Sequence, residues 1–340
     1  GATDVELDVA VDDRPNVYGR IPGRTERLVV VDTHLDTVTV EHMTDPPFDG
    51  RIEGGAVWGR GALDTKATAG VLLALFESWQ SSGLVPEPSV LFVGTVGEEG
   101  GGMPGAFRFV DWVRERGLEI DQLIAAEPTR LCPIHGHKGG LGVRITAVGT
   151  AAHSAVPHLG ANAIEAMAPV ISALEAEHHR LIEGPAANEL GTATLSVTKI
   201  DGGTAANVIP DQCTITVVRR NVPGDDPDAE YDRLLRIATD ACTLPVEIEL
   251  MAHRPDGRKG GTGFYSSPDS EVARTLARAA STEPTVAPFG TNAGQYDGLA
   301  REIVVFGPGA IDEAHQATER VAIDDLVRLA EAYTQWLDPA

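Results

Sequence analysis

Lysine is scarce in this sequence, and so is any excess of positive charge. Only four of the 340 residues are lysines, and 27 basic side chains stand against 50 acidic ones, which gives a formal net charge of −23. Nucleic acids and anionic lipid surfaces are bound through clustered Lys and Arg side chains. The composition therefore argues against a nucleic-acid or membrane-surface partner.

Long apolar runs and paired cysteines are lacking as well. No stretch reaches the roughly 18 apolar residues of a membrane span, so no such span is predicted. The opening residues, GATDVELDV, lack the charged-then-apolar pattern of a secretion signal. Three widely spaced cysteines, an odd number, favour free thiols in a reducing compartment. We therefore expect a cytoplasmic protein.

The length and the order of apolar segments predict two domains of the α/β type. A chain of 340 residues with 42% hydrophobic content is long for one domain. In its first half, apolar strand-like runs alternate with segments of helical spacing, such as RLVVVD at 27–32 followed by KATAGVLLALFESWQS at 66–81. Strands that alternate with helices predict a mostly parallel sheet with helices on both faces.

The pattern changes near Gly139. Residues 141–251 alternate in the manner of half-exposed strands and follow the order β-α-β-β-α-β, which is typical of a ferredoxin-like fold. The α/β pattern then resumes with a helix, a strand (EIVVF at 302–306) and a closing helix. We therefore predict a catalytic domain in two parts, residues 1–139 and 253–340, with an inserted α+β domain at 140–252.

Histidine and carboxylate side chains follow several of the predicted strands. They lie in HLD (His34 and Asp36), GRGALD (Asp64), GEEGG (Glu98 and Glu99), EPT (Glu127) and AHQATE (His315). Each motif alone fits an ordinary surface loop or helix N-cap equally well. Because functional sites of open α/β sheets collect where the strands end, the whole set predicts one common site.

The chemistry of this set favours a metal site. Adjacent carboxylates such as Glu98 and Glu99 repel one another, and a nearby cation removes that penalty. Carboxylate oxygens together with imidazole suit Zn²⁺, Co²⁺ or Mn²⁺. One carboxylate can ligate a metal while the other remains free to transfer protons.

At these residues the sequence resembles the co-catalytic zinc peptidase family of acetylornithine deacetylase, succinyl-diaminopimelate desuccinylase, aminoacylase and carboxypeptidase G. The motifs occur in the family's order along nearly the whole chain: HLD, GRGALD, GEEGG, EPT, AHSAVP, ANVIPD, RRNVPG and AHQATE. The resemblance implies a zinc-peptidase-like catalytic domain with a mostly parallel central sheet. It also implies an inserted ferredoxin-like lid and dimerisation domain.

The resemblance implies a pair of zinc ions, with Co²⁺ or Mn²⁺ as alternatives. His34 and Glu127 are expected to bind one ion. Glu99 and His315 are expected to bind the other. Asp64 is expected to bridge the two.

Further roles are carried over from the same family. Asp36 is expected to orient the first histidine ligand, and Glu98 to act as general base and acid. His153, in AHSAVP, is expected to reach the site of a neighbouring subunit and steady the developing oxyanion. Asn207 and Arg219 resemble residues that bind the substrate's carboxylate or assist there. The expected assembly is a homodimer formed through the inserted domain.

Some motifs depart from the family pattern. Val218 replaces a common Asp before RRNVPG, and Thr318 stands where Asn or Asp is frequent. The segment GTNAGQ at 290–295 differs from the usual Ser-Asp version, and the chain starts closer to HLD than its relatives do. These departures concern substrate identity and packing rather than the metal ligands.

We therefore expect a metal-dependent hydrolase that cleaves the amide bond of N-acyl amino acids through an activated water. A carboxypeptidase or dipeptidase with the same metal centre is the first alternative. A non-catalytic homologue that binds carboxylates is the second, although binding alone gives no reason for the general base Glu98.

Overall fold

The computed structural model describes residue 2 and residues 4–338. Its strands are β1 (Asp4–Val11), β2 (Arg14–Ile21), β3 (Leu28–His34), β4 (Ile52–Glu53), β5 (Ala56–Trp58), β6 (Ser89–Thr95), β7 (Ile120–Ala125), β8 (Ile134–His137), β9 (Leu141–Val148), β10 (Ala152–His153), β11 (Thr194–Gly202), β12 (Val208–Ile209), β13 (Gln212–Arg220), β14 (Val246–Leu250), β15 (Phe264–Tyr265), β16 (Thr285–Ala287), β17 (Ala300–Val305) and β18 (Arg320–Ala322). Its α-helices are α1 (Lys66–Ser82), α2 (Pro104–Arg116), α3 (Ala163–Ile182), α4 (Pro227–Ala241), α5 (Glu271–Ala280) and α6 (Ile323–Leu337).

The chain forms two compact units. The first unit contains the described parts of residues 1–136, 265–287 and 291–340. The second unit contains residues 137–264 and 288–290. The second unit is thus an insertion in the sequence of the first.

The first unit is built on a mixed sheet with a parallel centre. Its strands follow the order β1-β2-β6-β3-β7-β17-β8-β15, and β16 pairs with β8. The neighbours β6, β3, β7 and β17 are parallel. The pairs β1–β2, β2–β6 and β17–β8 are antiparallel. The predicted mostly parallel central sheet is therefore confirmed.

The sequence explains why the central strands lie where they do. Every residue of β3 and of β6 is buried, as expected for parallel strands with helices on both faces. Helix α1 buries an apolar stripe against this sheet and ends at Gly83, whose backbone adopts the left-handed conformation (φ 72°). Its partners in the same core include Val29, Val31 and Phe92.

The outer strand β1 differs from the central strands. Its side chains Val5, Leu7 and Val9 are 60–69% exposed, so helices do not cover this end of the sheet on both faces. On the opposite face of β1, Glu6 pairs with Arg116 and Asp8 pairs with Arg108, both on α2.

The second unit has the predicted ferredoxin-like arrangement. Its four-stranded antiparallel sheet follows the order β11-β13-β9-β14, and α3 and α4 connect the strands in the sequence β-α-β-β-α-β. Alternate residues of β9 and β13 point into a core with α3 and α4. Helix α3 is capped by Asn162, whose side chain accepts the N–H groups of Ile164 and Glu165.

Among the described residues, no helix combines the length and the hydropathy that crossing a bilayer requires.

Candidate metal centre

The first unit brings the predicted ligands together at the carboxyl edge of its parallel strands. His34 is the last residue of β3, and Glu127 lies two residues beyond the end of β7. Glu98 and Glu99 come shortly after β6, separated from its last residue, Thr95, by Val96 and Gly97. Because these strands run parallel and adjacent, their ends deliver the side chains to one place.

Asp64 lies between two imidazoles. Its Oδ1 is 2.9 Å from Nε2 of His34, and its Oδ2 is 3.2 Å from Nε2 of His315. Burial alone would raise the pKa of this carboxyl, but the hydrogen bonds to His315 and His34 outweigh burial and lower it. The carboxylate therefore presents one oxygen to each ring, which is the arrangement required of a bridging ligand.

The hydrogen bonds of His34 require either a proton or a metal ion at its second nitrogen. Nδ1 lies 3.0 Å from the main-chain oxygen of Asp36, so it must donate, because a carbonyl only accepts. In the neutral ring, Nε2 then has a lone pair facing the Asp64 oxygen. Two acceptors at 2.9 Å require a proton or a metal ion between them. Although burial would lower the pKa of His34, Asp64 and Glu127 raise it well above its usual value.

Three glutamates complete the cluster. Ligand atoms of His34, Glu98 and Glu127 lie within 4.8 Å of one another, as do those of His34, Asp64 and Glu99. Burial, followed by repulsion from neighbouring carboxylates, raises the pKa of Glu127 well above its usual value. Burial likewise raises the pKa of Glu98 to about 8, and that of Glu99 also rises. Without a cation, this cluster holds more negative charge than its surroundings stabilise.

His315 approaches from the loop after β17. Its side chain is half exposed, and Nε2 is 3.2 Å from Oε2 of Glu99 as well as from Asp64. The hydrogen bond to Asp64 is the main reason that its pKa rises to about 9. The backbone at His315 adopts a left-handed conformation (φ 61°), which is uncommon for a residue other than glycine.

Asp36 supports the cluster mainly through the loop at 97–99. Its Oδ1 accepts N–H groups from Gly97 (2.9 Å) and Glu98 (3.2 Å), and its Oδ2 accepts that of Glu99 (3.1 Å). The Asp36 carboxylate is 3.8 Å from Nδ1 of His34, so the closer contact to that ring is through the main-chain oxygen. The Asp36 side chain thus bonds to the backbone of the glutamate pair, and its main-chain oxygen contacts the first histidine.

A buried polar network lies close by, and sequence reasoning missed it. Asp32 accepts hydrogen bonds from Thr95 (2.8 Å), from Asn292 (3.0 Å) and from the hydroxyl of Tyr296 (2.7 Å). Burial raises the pKa of the Asp32 carboxyl in spite of these bonds. Asn292 belongs to the unusual GTNAGQ segment, so this departure from the family pattern supplies a hydrogen-bond donor to Asp32.

Sequence reasoning also missed Glu319, the last residue of AHQATE. Its carboxylate is fully buried against the loop that carries Asp64. The one feature of the sequence that could have indicated Glu319 is its position, four residues after the predicted ligand His315.

His153 and Asn207 lie on neighbouring segments of the second unit. His153 ends β10, whose partner strand β12 begins one residue after Asn207. Nδ1 of His153 accepts the N–H of Ala155 at 3.1 Å, so in the neutral ring Nε2 carries the proton. Both side chains are exposed, and their predicted roles stay predictions.

The surroundings of Arg219 differ from those expected of a substrate clamp. Arg219 is buried, with Nη1 2.8 Å from Asp225 and Nε 3.2 Å from Glu230. The adjacent Arg220 is exposed, because alternate residues of β13 face opposite sides of the sheet. This alternation was the signal in the sequence that distinguishes the two arginines.

Comparisons with known proteins show which families and folds the chain resembles. The family described as "Peptidase dimerisation domain" matches residues 135–242, and the family described as "Peptidase family M28" matches residues 16–165. The solved structure of an M20 family metallo-carboxypeptidase from Sulfolobus solfataricus superposes with a TM-score of 0.79 at 19% sequence identity. The superposition covers 97% of this chain and 88% of that one, which supports the fold.

Curated relatives are similar over most of their length. Acetylornithine deacetylase of Myxococcus xanthus is 34% identical over 81% of this chain and 70% of its own. Succinyl-diaminopimelate desuccinylase of Polynucleobacter necessarius is 29% identical over 90% and 80%. A probable carboxypeptidase of Ajellomyces dermatitidis is 29% identical over 98% and 76%.

Proposed function

The chain belongs to the M20 family of metallopeptidases and related deacylases, and we propose that it hydrolyses the amide bond of N-acyl amino acids. It is a metallohydrolase that acts on amide or peptide bonds, and its cofactor is a metal. The proposal concerns the acyl amino acid as substrate, the identity and number of the metal ions, and the role of each residue.

The proposed metals are two zinc ions, with Co²⁺ or Mn²⁺ able to replace them. His34 and Glu127 would hold one ion, and Glu99 and His315 the other, with Asp64 between them. The donor set supports this assignment, because imidazole nitrogens and carboxylate oxygens converge and Nε2 of His34 faces an acceptor. When bound, the ions supply the Lewis acidity that activates water for attack at neutral pH.

Glu98 is the proposed general base and acid. Its side chain belongs to the cluster around His34, and its backbone N–H is fixed by Asp36. Glu98 would take the proton of the attacking water and then deliver it to the nitrogen of the leaving amine. The adjacent Glu99 faces His315 instead, so the two neighbouring glutamates contact different residues.

His153 is the proposed oxyanion donor and would act at the metal centre of a second copy. The proton on Nε2 suits this role, because an oxyanion needs a donor. Asn207, on the neighbouring segment, is proposed to assist there. Mixing the inactive homodimers of His153→Ala and Glu98→Gln should restore activity, since exchange creates one intact site. Absence of recovery after proven subunit exchange would contradict the role across subunits.

Recognition of the substrate's carboxylate is proposed for the RRNVPG segment. Arg219 was the predicted clamp, but Asp225 and Glu230 already face its guanidinium. The exposed Arg220 is the better candidate, because it lies close to a second cation, Lys138. Burial lowers the pKa of the Lys138 amine, and the charge of Arg220 lowers it further. Two neighbouring cations on a chain this acidic favour binding of an anionic group.

The observation that carries the function is the Asp64 carboxylate with one imidazole on each oxygen. The test is a hydrolysis screen of metal-stripped protein after reconstitution with Zn²⁺ or Co²⁺. The panel contains N-acetylornithine, N-succinyl-diaminopimelate, other N-acyl amino acids and dipeptides. We expect amine release from N-acyl amino acids only after metal is restored. Equal rates with and without metal would contradict the proposal.

A carboxypeptidase or dipeptidase activity is the second candidate. It is favoured by the similarity to a probable carboxypeptidase along 98% of this chain. The same panel separates the two functions, because faster release from dipeptides than from every N-acyl amino acid would identify a peptidase. Binding of N-acyl amino acids without any turnover would identify the non-catalytic homologue.

We also propose that the protein forms a homodimer and is located in the cytoplasm. A homodimer is supported by the match of residues 135–242 to a peptidase dimerisation domain. A cytoplasmic location is supported by three free cysteines, Cys132, Cys213 and Cys242.

A further inference from the structure

Glu319 holds the loop that presents Asp64. Its Oε1 accepts three backbone N–H groups, from Gly61 (2.9 Å), Leu63 (3.1 Å) and Asp64 itself (3.2 Å). Its Oε2 accepts a hydrogen bond from the Arg60 guanidinium. The carboxylate and the guanidinium are both almost completely buried, so the pair is enclosed rather than solvated.

The main chain of Glu319 adds a second attachment. Its carbonyl oxygen accepts the N–H of Gly59 at 3.1 Å, and the next residue, Arg320, pairs with Trp58 in the β18–β5 ladder. One residue therefore contacts the loop at its start, through Gly59, and at its end, through Asp64. The buried N–H groups of this loop need acceptors, and a single carboxylate provides one for three of them.

The segment that carries Glu319 also carries His315. The second histidine is four residues earlier in the chain and contacts the other oxygen of Asp64. The positions of the bridging carboxylate and of the His315 imidazole are thus coupled through one short stretch of chain.

Asp36 provides an independent parallel at the same centre. It too is a carboxylate that accepts three backbone N–H groups from a loop carrying ligands, the loop at 97–99. The centre therefore rests on two such supports: Asp36 holds the loop of Glu98 and Glu99, and Glu319 holds the loop of Asp64.

We infer that Glu319 is a positioning residue of the metal centre. It fixes Asp64 between His34 and His315, so the affinity for both metal ions depends on a carboxylate that is bonded to the loop and not to a ligand side chain. This inference rests on the proposed function, because it takes Asp64 to be the bridging ligand. Outer residues that orient metal ligands typically change metal affinity by about 10- to 100-fold when replaced.

The test measures metal affinity directly. Metal-stripped parent protein and Glu319→Gln are titrated with Co²⁺ and followed by its visible absorption. Glutamine keeps the size of the side chain but carries no negative charge to pair with Arg60. We expect both Co²⁺ ions to bind about 10- to 100-fold more weakly to Glu319→Gln. Saturating Co²⁺ should then restore most of kcat, since no reacting group has been removed.

Glu177→Gln is the matched control. Glu177 is also a buried glutamate paired with arginines, Arg180 and Arg233, but it lies in the second unit, outside the metal cluster. This variant should bind Co²⁺ like the parent. A purely structural role of Glu319 would lower stability in both variants and leave Co²⁺ affinity unchanged in both, and that result would overturn the inference.

A second measurement needs no variant. In the metal-free parent, the amides of Gly61, Leu63 and Asp64 should exchange with solvent slowly, because Glu319 holds them before metal binds. Fast exchange at all three amides would overturn the inference even if Glu319→Gln fails to fold. A parent protein that binds no Co²⁺ would refute the metal centre itself. Binding of equal strength to the parent and to folded Glu319→Gln would refute only the role of Glu319.

Discussion

Buried carboxylates in the two units are treated in opposite ways. In the second unit, Glu177 faces Arg180 and Arg233, each at 2.6 Å. Burial would raise its pKa, but the two arginines outweigh burial and lower it to about 2. In the first unit, Glu98 and Glu127 lie among other carboxylates and have raised pKa values.

This difference in pKa distinguishes carboxylates that stabilise the fold from carboxylates that are suited to bind a ligand. A carboxylate whose partners are built into the fold is neutralised before any ligand arrives. A cluster of carboxylates with few cationic side chains nearby keeps an excess of negative charge until a cation is bound. The first unit nonetheless contains both kinds, since Glu319 is paired with Arg60 and Asp64 is not paired with any arginine or lysine in the described salt bridges.

The largest expected effect comes from replacing Glu98 in the cluster of carboxylates around His34. Glu98→Gln removes the proposed proton carrier while leaving the proposed metal ligands in place. We expect kcat to fall by about 10²- to 10⁴-fold, the usual contribution of general acid–base catalysis. Metal content by elemental analysis should stay unchanged. Glu177→Gln makes the same chemical change in the second unit and should retain the parent's kcat. Turnover of Glu98→Gln at the parent's rate would show that another group moves the proton.

A smaller effect is expected from adding an acid beside Asp32, whose described hydrogen bonds come from neutral groups. Asn292→Asp would place a second carboxyl beside Asp32, where the amide of Asn292 now donates at 3.0 Å. We expect the free energy of unfolding to fall by about 1–3 kcal/mol at pH 7, the cost of losing a buried partner. The exchanged pair Asp32→Asn with Asn292→Asp keeps one acid and one amide and should recover most of the loss.

Urea denaturation followed by tryptophan fluorescence measures this change. The four tryptophans Trp58, Trp79, Trp112 and Trp336 all belong to the first unit, so the signal reports on that unit. Equal stability of the single variant and the parent would mean that the site tolerates an extra carboxyl without a cation.

The smallest effect concerns Glu177, whose carboxylate is paired with two arginines. Because the folded-state pKa of Glu177 is about 2 and its ordinary value is 4.5, its ionised form stabilises the second unit fully above about pH 4.5. This stabilisation is lost as the pH falls through about 2. Glu177→Gln should therefore be less stable than the parent at pH 7 by about 1 kcal/mol, a modest value because both arginines are partly exposed.

Hydrogen exchange of α3 amides measures the second unit by itself. The difference between the parent and Glu177→Gln should shrink steadily as the pH is lowered from 4.5 towards 2. A difference that does not change with pH would mean that packing, and not charge, makes Glu177 stabilising.

Much of the fold could be predicted from apolar patterning. The apolar run predicted as a strand at 27–32 overlaps β3, and the helix predicted at 66–81 is one residue shorter than α1. Short strands such as β8 (Ile134–His137) and β15 (Phe264–Tyr265) were missed, because two to four residues carry no measurable alternation. The clustering of His34, Glu98, Glu99 and Glu127 was predicted because these residues follow strands, and parallel neighbouring strands bring them together. Their separate roles came from the family resemblance and stay predictions.

The supports of the site were harder to predict. The four side-chain hydrogen bonds of Glu319 join residues 255–259 positions apart in the chain. Three of the four come from backbone N–H groups, which leave no mark in a sequence. Asp32 was likewise hidden inside an apolar run, because its partners Asn292 and Tyr296 come from a distant segment. Arg219 and Arg220 could have been separated, since the alternation of β13 already places only one of them inward.

We propose above that Asp64 holds two metal ions between His34 and His315. The most direct test of this proposal is the stoichiometry of Zn²⁺ binding to metal-stripped protein, measured by calorimetry and elemental analysis for the parent and for Asp64→Asn. We expect two ions per chain in the parent and the loss of tight binding of both in the variant. A parent that binds fewer than two ions, or an Asp64→Asn variant that still binds two tightly, would contradict the proposal.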